Sequence, residues 1–131
     1  MGLTYVTTQV YDFNKTNDPY EAQFLVDTDA IDCMAPRHEL EKLGIHIEGK
    51  SVYELANGEV VEYQLGFARI AFMGQETVSQ IIFGPEDTEP LLGVVVLENL
   101  GYFVDPISKQ LKKLSAKPLK SLFVCSSTPF N

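Results

Sequence analysis

One pattern occurs twice in this chain. Leu40-Glu41-Lys42-Leu43-Gly44-Ile45-His46-Ile47 and Leu97-Glu98-Asn99-Leu100-Gly101-Tyr102-Phe103-Val104 share L-E-x-L-G followed by apolar, any, apolar. Leucines three apart put an apolar stripe on a short helix, and the glycine supplies the left-handed residue at which a helix stops. Each copy follows an apolar strand with a sharp turn, Phe24 to Asp27 in one case and Leu91-Leu92-Gly93 in the other. The pattern predicts two related halves, each made of strand, turn, short helix and outgoing strand. A chance recurrence of a helix-glycine-strand joint would leave the same string, so the rest of the chain has to support it.

Between and around these joints the chain reads as strands. Leu3 to Tyr11 alternates with β-branched residues throughout, the turn-forming FNKTNDP follows, and Tyr20 to Val26 resumes the alternation, which predicts a hairpin. Pro36 opens the helix RHELEKLG. Ser51 to Ala56 and Glu59 to Phe72 flank Asn57-Gly58, the strongest signal for a two-residue hairpin turn. Met73-Gly74-Gln75 turns the chain into Thr77 to Phe83, and Gly84-Pro85-Glu86-Asp87 ends that run. A mostly β body in short strands is the expectation.

At 131 residues with 45% hydrophobic content, one domain with a real core is expected. The longest apolar runs fall far short of the roughly 20 residues of a membrane helix, and the start MGLTYVTTQV has neither a basic region nor an apolar core of a secretory signal. Val6 stands where a myristoylation motif wants Ser or Thr. Cys33 and Cys125 form neither a disulfide framework nor a metal spacing, so a reduced, cytoplasmic protein outside any membrane is expected. The net charge of −8 hides an asymmetry. Up to Asp105 there are 18 acidic and five basic residues, a formal −13, whereas the last 26 residues carry five lysines and no acid. Such a body repels nucleic acid. The basic segment 109–131 is expected to be solvated or folded onto that body.

The chemistry-bearing stretch is FLVDTDAIDCMAP, where Asp27, Asp29 and Asp32 follow an apolar run. Three readings compete. Asp27-Thr28-Asp29 as a strand-ending Asx turn explains one aspartate more easily than three. A strand running into D-x-D is similar to the first motif of haloacid dehalogenase phosphatases, which would also need a parallel sheet with helices between strands and a later acidic pair. The third reading takes a single aspartate at a sharp strand end: two such residues facing each other share one proton, since like charges a few ångströms apart cannot both ionise. The chain has one suitable site, so a second copy must supply the other. His38 and His46 have no triad context and read as solvated or capping residues. Cys33 reads as a small buried apolar group.

FLVDTDA resembles the active-site strand of the retroviral-type (retropepsin-like) aspartic proteases, apolar-apolar-D-[ST]-G-A, and PLLGVVVLENLGYFVDP resembles their second signature, apolar-apolar-Gly, short helix, L-G and final strand. The resemblance runs from about Leu3 to Leu111 and is closest to the small bacterial members. It implies an all-β, closed barrel-like domain over 1–131 with one or two short helices and a core of about 3–111. It also implies a homodimer that hydrolyses peptide bonds in a cleft across its two-fold axis, without metal or cofactor. Asp27 would be catalytic, and the Thr28 hydroxyl would bond across the dimer axis. Ala30 would line the groove; Asp32, read from its own place in the chain, either faces that groove and selects polar side chains or is a solvent-facing turn carboxylate. Asn57-Gly58 would be the tip of a mobile flap, and Leu92-Gly93 would cross behind the active-site loop, with Leu92 counted in the substrate site and Gly93 admitting close backbone approach. Leu3 to Val6 and Ser121 to Val124 would serve as interleaved terminal strands. One departure stands out: Asp29 replaces the family's glycine, which would crowd a peptide, repel the dyad's anion or engage a basic substrate group. A non-catalytic peptide-binding dimer of the same fold is the rival reading.

Overall fold

The computed structural model describes residues 4–117 and 119. The expected first hairpin is present: β1 (Tyr5–Tyr11) pairs antiparallel with β2 (Tyr20–Val26), and Thr8 and Val10 point inward. The turn between them is held by the Asp12 carboxylate, which accepts from the Thr16 N–H at 3.2 Å and the Thr16 hydroxyl at 2.8 Å. Then come β3 (Cys33–Pro36), helix α1 (Arg37–Lys42), β4 (Gly49–Glu54), β5 (Val60–Phe72), β6 (Gln75–Gly84), β7 (Leu91–Leu92), helix α2 (Val94–Leu100), β8 (Tyr102–Val104) and β9 (Leu111–Lys113).

Seven strands lie in the order β1-β2-β7-β3-β6-β5-β4, and β5 pairs back onto β1, closing six of them into a ring. The long strand β5 makes this possible. Its residues Arg69 to Ala71 pair with β1, and its first half carries β4 as a hairpin that projects beyond the ring. Inside the ring lie Val10, Phe24, Cys33, Ala35, Ile70, Phe72, Ile81 and Leu92, capped by Leu40 of α1 and by Val96 and Leu97 of α2. Burying such side chains stabilises by about 1.5–3 kcal/mol each before entropy is counted.

The two turns that glycine signals mark exchange roles. Asn57-Gly58 does not form a two-residue primed turn. The Gly58 N–H donates to the Leu55 carbonyl at 2.9 Å and the Leu55 N–H to Glu59 at 2.8 Å, and only the glycine has positive φ, +87°. This is a three-residue loop with a left-handed closing residue, because the Asn57 Oδ1 accepts the Glu59 N–H and so keeps Asn57 out of the left-handed region. The two-residue turn is instead Met73-Gly74, both with positive φ, between the paired Phe72 and Gln75.

Both copies of L-E-x-L-G are helices that stop at left-handed glycines, Gly44 at φ +77° and Gly101 at +80°. At the first, Gly44 and Ile45 donate to Glu41 and Leu40, satisfying two terminal carbonyls. The outgoing strands differ. Tyr102–Val104 is β8, but Ile45-His46-Ile47 makes no ladder. It crosses over Gly66 of β5, where a Cβ would sit 2.4 Å from the His46 carbonyl, so it packs on the sheet face rather than pairing at its edge. The basic segment folds onto the body as far as it is described. Lys113 donates to the Leu100 carbonyl at 2.9 Å and Lys117 to Asn99 at 2.8 Å, placing two cations at the carbonyl end of α2. Ser121 to Val124, Cys125 and Leu3 lie outside the described residues.

Candidate active site

The loop from Asp27 to Asp32 is shaped by β7, which runs parallel to β2 and antiparallel to β3 and so separates the two strands the loop must join. The loop therefore crosses the end of β7. There the Asp27 N–H donates to the Leu92 carbonyl at 3.0 Å, while Val94 and Val95 donate to Ala30 and Ile31 at 2.8 and 3.2 Å. Gly93 lies directly beneath: a Cβ on it would stand 2.5 Å from the Ile31 carbonyl oxygen and 2.6 Å from the Asp32 backbone. The Gly93 N–H donates to the Cys33 sulfur at 3.3 Å. Burial pushes that thiol up to about 12, so it stays neutral.

Within the loop, Asp27 is half-buried and its Oδ1 accepts the Asp29 N–H at 3.0 Å, an Asx turn that orients the carboxylate. The turn and the strand-end carboxylate, set against each other as readings of the sequence, coexist in one residue. Asp29 is exposed and its φ is not positive, so its backbone accepts a side chain without strain. Thr28 is exposed and lines a different hollow, of about 1210 Å³, formed mainly by α2, Tyr102, Phe103 and Leu114.

A second cavity, about 670 Å³, lies between the loop and the β4–β5 hairpin. Asp27, Asp29, Ala30 and Asp32 line it from the loop, Val52 to Ala56 from the hairpin, and Tyr63, Ile82 and Leu91 from the walls. It is the smaller hollow, yet it gathers the three aspartates of the loop. Four acidic residues, Asp27, Asp29, Asp32 and Glu54, are among its lining, and no lysine or arginine is. Its remaining walls are mainly apolar, with Ile31, Met34, Val52, Ile82 and Leu91 among them.

The expected site residues meet this cavity in different ways. Asp32 does not present a free carboxylate to the groove: it is 8% exposed, accepts the Tyr53 hydroxyl at 2.8 Å, and takes the Gln80 amide on both oxygens at 3.2 Å. Leu92, expected in the substrate site, is fully buried and meets the loop only through its carbonyl; its neighbour Leu91 reaches the cavity. Asn57 and Gly58 sit at the tip of the hairpin and do not line the cavity, whereas Val52 to Ala56 do. Tyr53, Glu54 and Gln80 carry no motif, and only their place on strands facing the loop singles them out. His38 lies on α1 between Glu39 and Glu86, away from the cavity. Among the described residues no group of three or more His, Cys, Asp or Glu side chains is placed to hold a metal ion.

The ring of strands, the projecting hairpin and the crossed loop define an architecture already known among proteases. The chain is similar to the solution structure of the simian foamy virus (mac) protease, with a TM-score of 0.51 at 13% identity over 72% of this chain and 91% of that one. It is also similar to the foamy viral protease-reverse transcriptase in complex with an RNA/DNA hybrid, with a TM-score of 0.54 at 15% identity. That match covers 72% of this chain but 11% of the larger one. No family model matches the chain, and no curated protein does. The fold is thus all-β and retropepsin-like. Both neighbours are foamy-viral, and neither supports the bacterial subgroup suggested by the motifs. The haloacid dehalogenase reading is set aside, because its parallel sheet with intervening helices is absent from this ring of mainly antiparallel strands. No helix among the described residues is long and apolar enough to cross a membrane.

Proposed function

We propose that the chain is an aspartic endopeptidase that works as a homodimer, with Asp27 of each copy forming a shared-proton dyad. The observation that carries this reading is the single oriented carboxylate, Asp27, set in a cavity beneath a projecting hairpin in a retropepsin-like fold. One Asp27 anion takes a proton from water as the oxygen adds to the peptide carbonyl; the neutral Asp27 of the second copy gives its proton to the carbonyl oxygen. As the tetrahedral diol collapses and its C–N bond breaks, the first Asp27 gives the proton it took from water to the leaving amine, and a diol hydroxyl returns a proton to the second Asp27. The hairpin closes over the peptide and excludes water. Thr28 and the apolar hollow beside it, with Val94, Leu97 and Phe103, form the surface on which the second copy sits. Affinity to the small bacterial members, a cytoplasmic setting and a single domain over 1–131 belong to this reading as expectations from sequence.

The test is peptide cleavage at mildly acid pH by the purified chain, sensitivity to a statine-type inhibitor, and loss of at least about a hundredfold in rate on Asp27→Asn. Sedimentation at tens of micromolar should show a dimer; a monomer at that concentration overturns the shared dyad. A second reading, a peptide-binding dimer without chemistry, is favoured by the exposed carboxylate of Asp29 beside Asp27. It predicts an inactive parent chain that binds peptides and gains activity on Asp29→Gly.

A further inference from the structure

Strand β4 is an edge. It pairs only with β5, and of its six residues only Tyr53 is even half-buried. Among the described residues, the one side-chain hydrogen bond from β4 to another element or loop is that from the Tyr53 hydroxyl to Asp32, 2.8 Å long. Asp32 is anchored in turn from the ring, by the Gln80 amide of β6 on both of its oxygens at 3.2 Å. Beyond Tyr53 the hydrogen bonds of the hairpin, among the described residues, are the last ladder pair, Glu54 with Val60, and those of its own turn. A carboxylate buried to this degree is stable only while its lone pairs are occupied, and the phenol of Tyr53 is a dependable donor, since burial and the adjacent Asp32 push it up to about 12.

We propose that Tyr53 and Gln80 are positioning residues that grip Asp32 from two sides and so hold the β4–β5 hairpin, near the turn end of β4, at a fixed height above the Asp27–Asp32 loop. The grip confines hairpin motion to residues beyond Tyr53, making the tip a lid and the base a wall. This role rests on the endopeptidase reading for its consequence in catalysis, but its physical content is independent of that reading.

Backbone hydrogen exchange of the whole chain tests it. Tyr53→Phe removes one oxygen and keeps the ring; exchange of residues 50–62 should quicken about tenfold, the worth of one net hydrogen bond to a charged acceptor at a partly exposed site. Exchange of 68–71 and 79–82, in the closed ring, should stay as in the parent. Asp32→Asn still accepts the phenol's proton and, with the Gln80 amide turned over, can donate to it, so protection of the hairpin should stay within about twofold of the parent. Where cleavage is measured, Tyr53→Phe should raise KM severalfold with kcat little changed. An unchanged hairpin in Tyr53→Phe overturns the proposal. So does a rise spread evenly over hairpin and ring, or an Asp32→Asn hairpin as labile as that of Tyr53→Phe. A parent chain with no peptidase activity sinks the enzyme reading while the exchange result still decides the grip.

Discussion

Gly93→Ala is the sharpest test of how the loop is built. The new methyl carbon would lie 2.5 Å from the Ile31 carbonyl oxygen, and ordinary contact begins at 3.4 Å, so the loop or the start of α2 must retreat by about 0.9 Å. Both sides of the clash are backbone, which cannot turn aside as a side chain can. Overpacking of this kind costs about 1–3 kcal/mol. The retreat also stretches the bonds from Val94 and Val95 to Ala30 and Ile31, each worth about 1 kcal/mol when fully made. A total of about 3 kcal/mol follows, which for a chain of this length lowers Tm by roughly 10 °C. Urea unfolding followed by circular dichroism measures it, provided the slope against denaturant is unchanged. The control is Gly74→Ala, where φ is +78° but nothing lies within 4 Å, so only left-handed strain of about 1–2 kcal/mol applies. If Gly93→Ala unfolds at a urea concentration no lower than Gly74→Ala, the crossing does not depend on a missing Cβ and the account of the loop fails.

Three further outcomes are expected. Glu76 accepts from Lys15 at 2.7 Å and Arg69 at 3.2 Å, and the bond with Lys15, more than any other cause, holds its carboxyl below the usual glutamate range. A depressed acid stabilises above its unfolded value, so Glu76→Gln should lower the urea midpoint at pH 7, with the gap closing as pH falls below about 4.3; a gap independent of pH contradicts this. Met73 adopts φ +53° and is 54% exposed, so Met73→Asn, a residue suited to that region, should stabilise by about 0.5–1 kcal/mol, and a lower Tm would mean that methionine packing outweighs the backbone gain. In a Cys125→Ser background, Cys33 should not react with a chromogenic disulfide at pH 8 until the chain is unfolded, because the thiol is buried and held neutral; rapid labelling of the native protein refutes it.

What the sequence disclosed was decided by locality. Alternation in Tyr5–Tyr11 and Tyr20–Val26, the leucine spacing and glycine stops of α1 and α2, and the break after Gly84 each depend on neighbours a few residues away, and all appear in the fold. Ring closure was legible only through the family resemblance, which implies a closed barrel-like domain, and in no local string. It rests on β5 meeting β1 through Gln9 to Tyr11, and on two residues, Leu91 and Leu92, wedged between β2 and β3, and no local pattern announces either. The type of one turn was misread for a related reason: an Asn-Gly pair favours the primed turn only if asparagine is free to go left-handed, and here the Asn57 side chain is committed to Glu59. The candidate site divides the same way. Asp27 and Gly93 are named by their local strings, but the partners of Asp32 lie 21 and 48 residues away, so its burial could only be seen in three dimensions.

Asp29 is where the departure from the protease pattern has to be judged, and the geometry narrows the judgement. Steric strain in the backbone is removed as a cause, since φ is not in the left-handed region, and the Asp29 N–H performs the same service to Asp27 that a glycine N–H would. Two effects remain: the bulk of a side chain in the peptide's path and its charge. Exposed unit charges about 6 Å apart in water interact by less than about 1 kcal/mol, and salt screens them further. Once a peptide and a hairpin exclude water the same pair is felt several times more strongly, so the charge acts on the closed complex more than on the free chain. Asp29→Asn removes the charge and keeps the bulk, whereas Asp29→Gly removes both. If activity rises alike in the two, repulsion is what Asp29 contributes; if only the glycine chain gains, the side chain blocks the peptide, and the cleft of the parent is built to hold something narrower than an ordinary substrate.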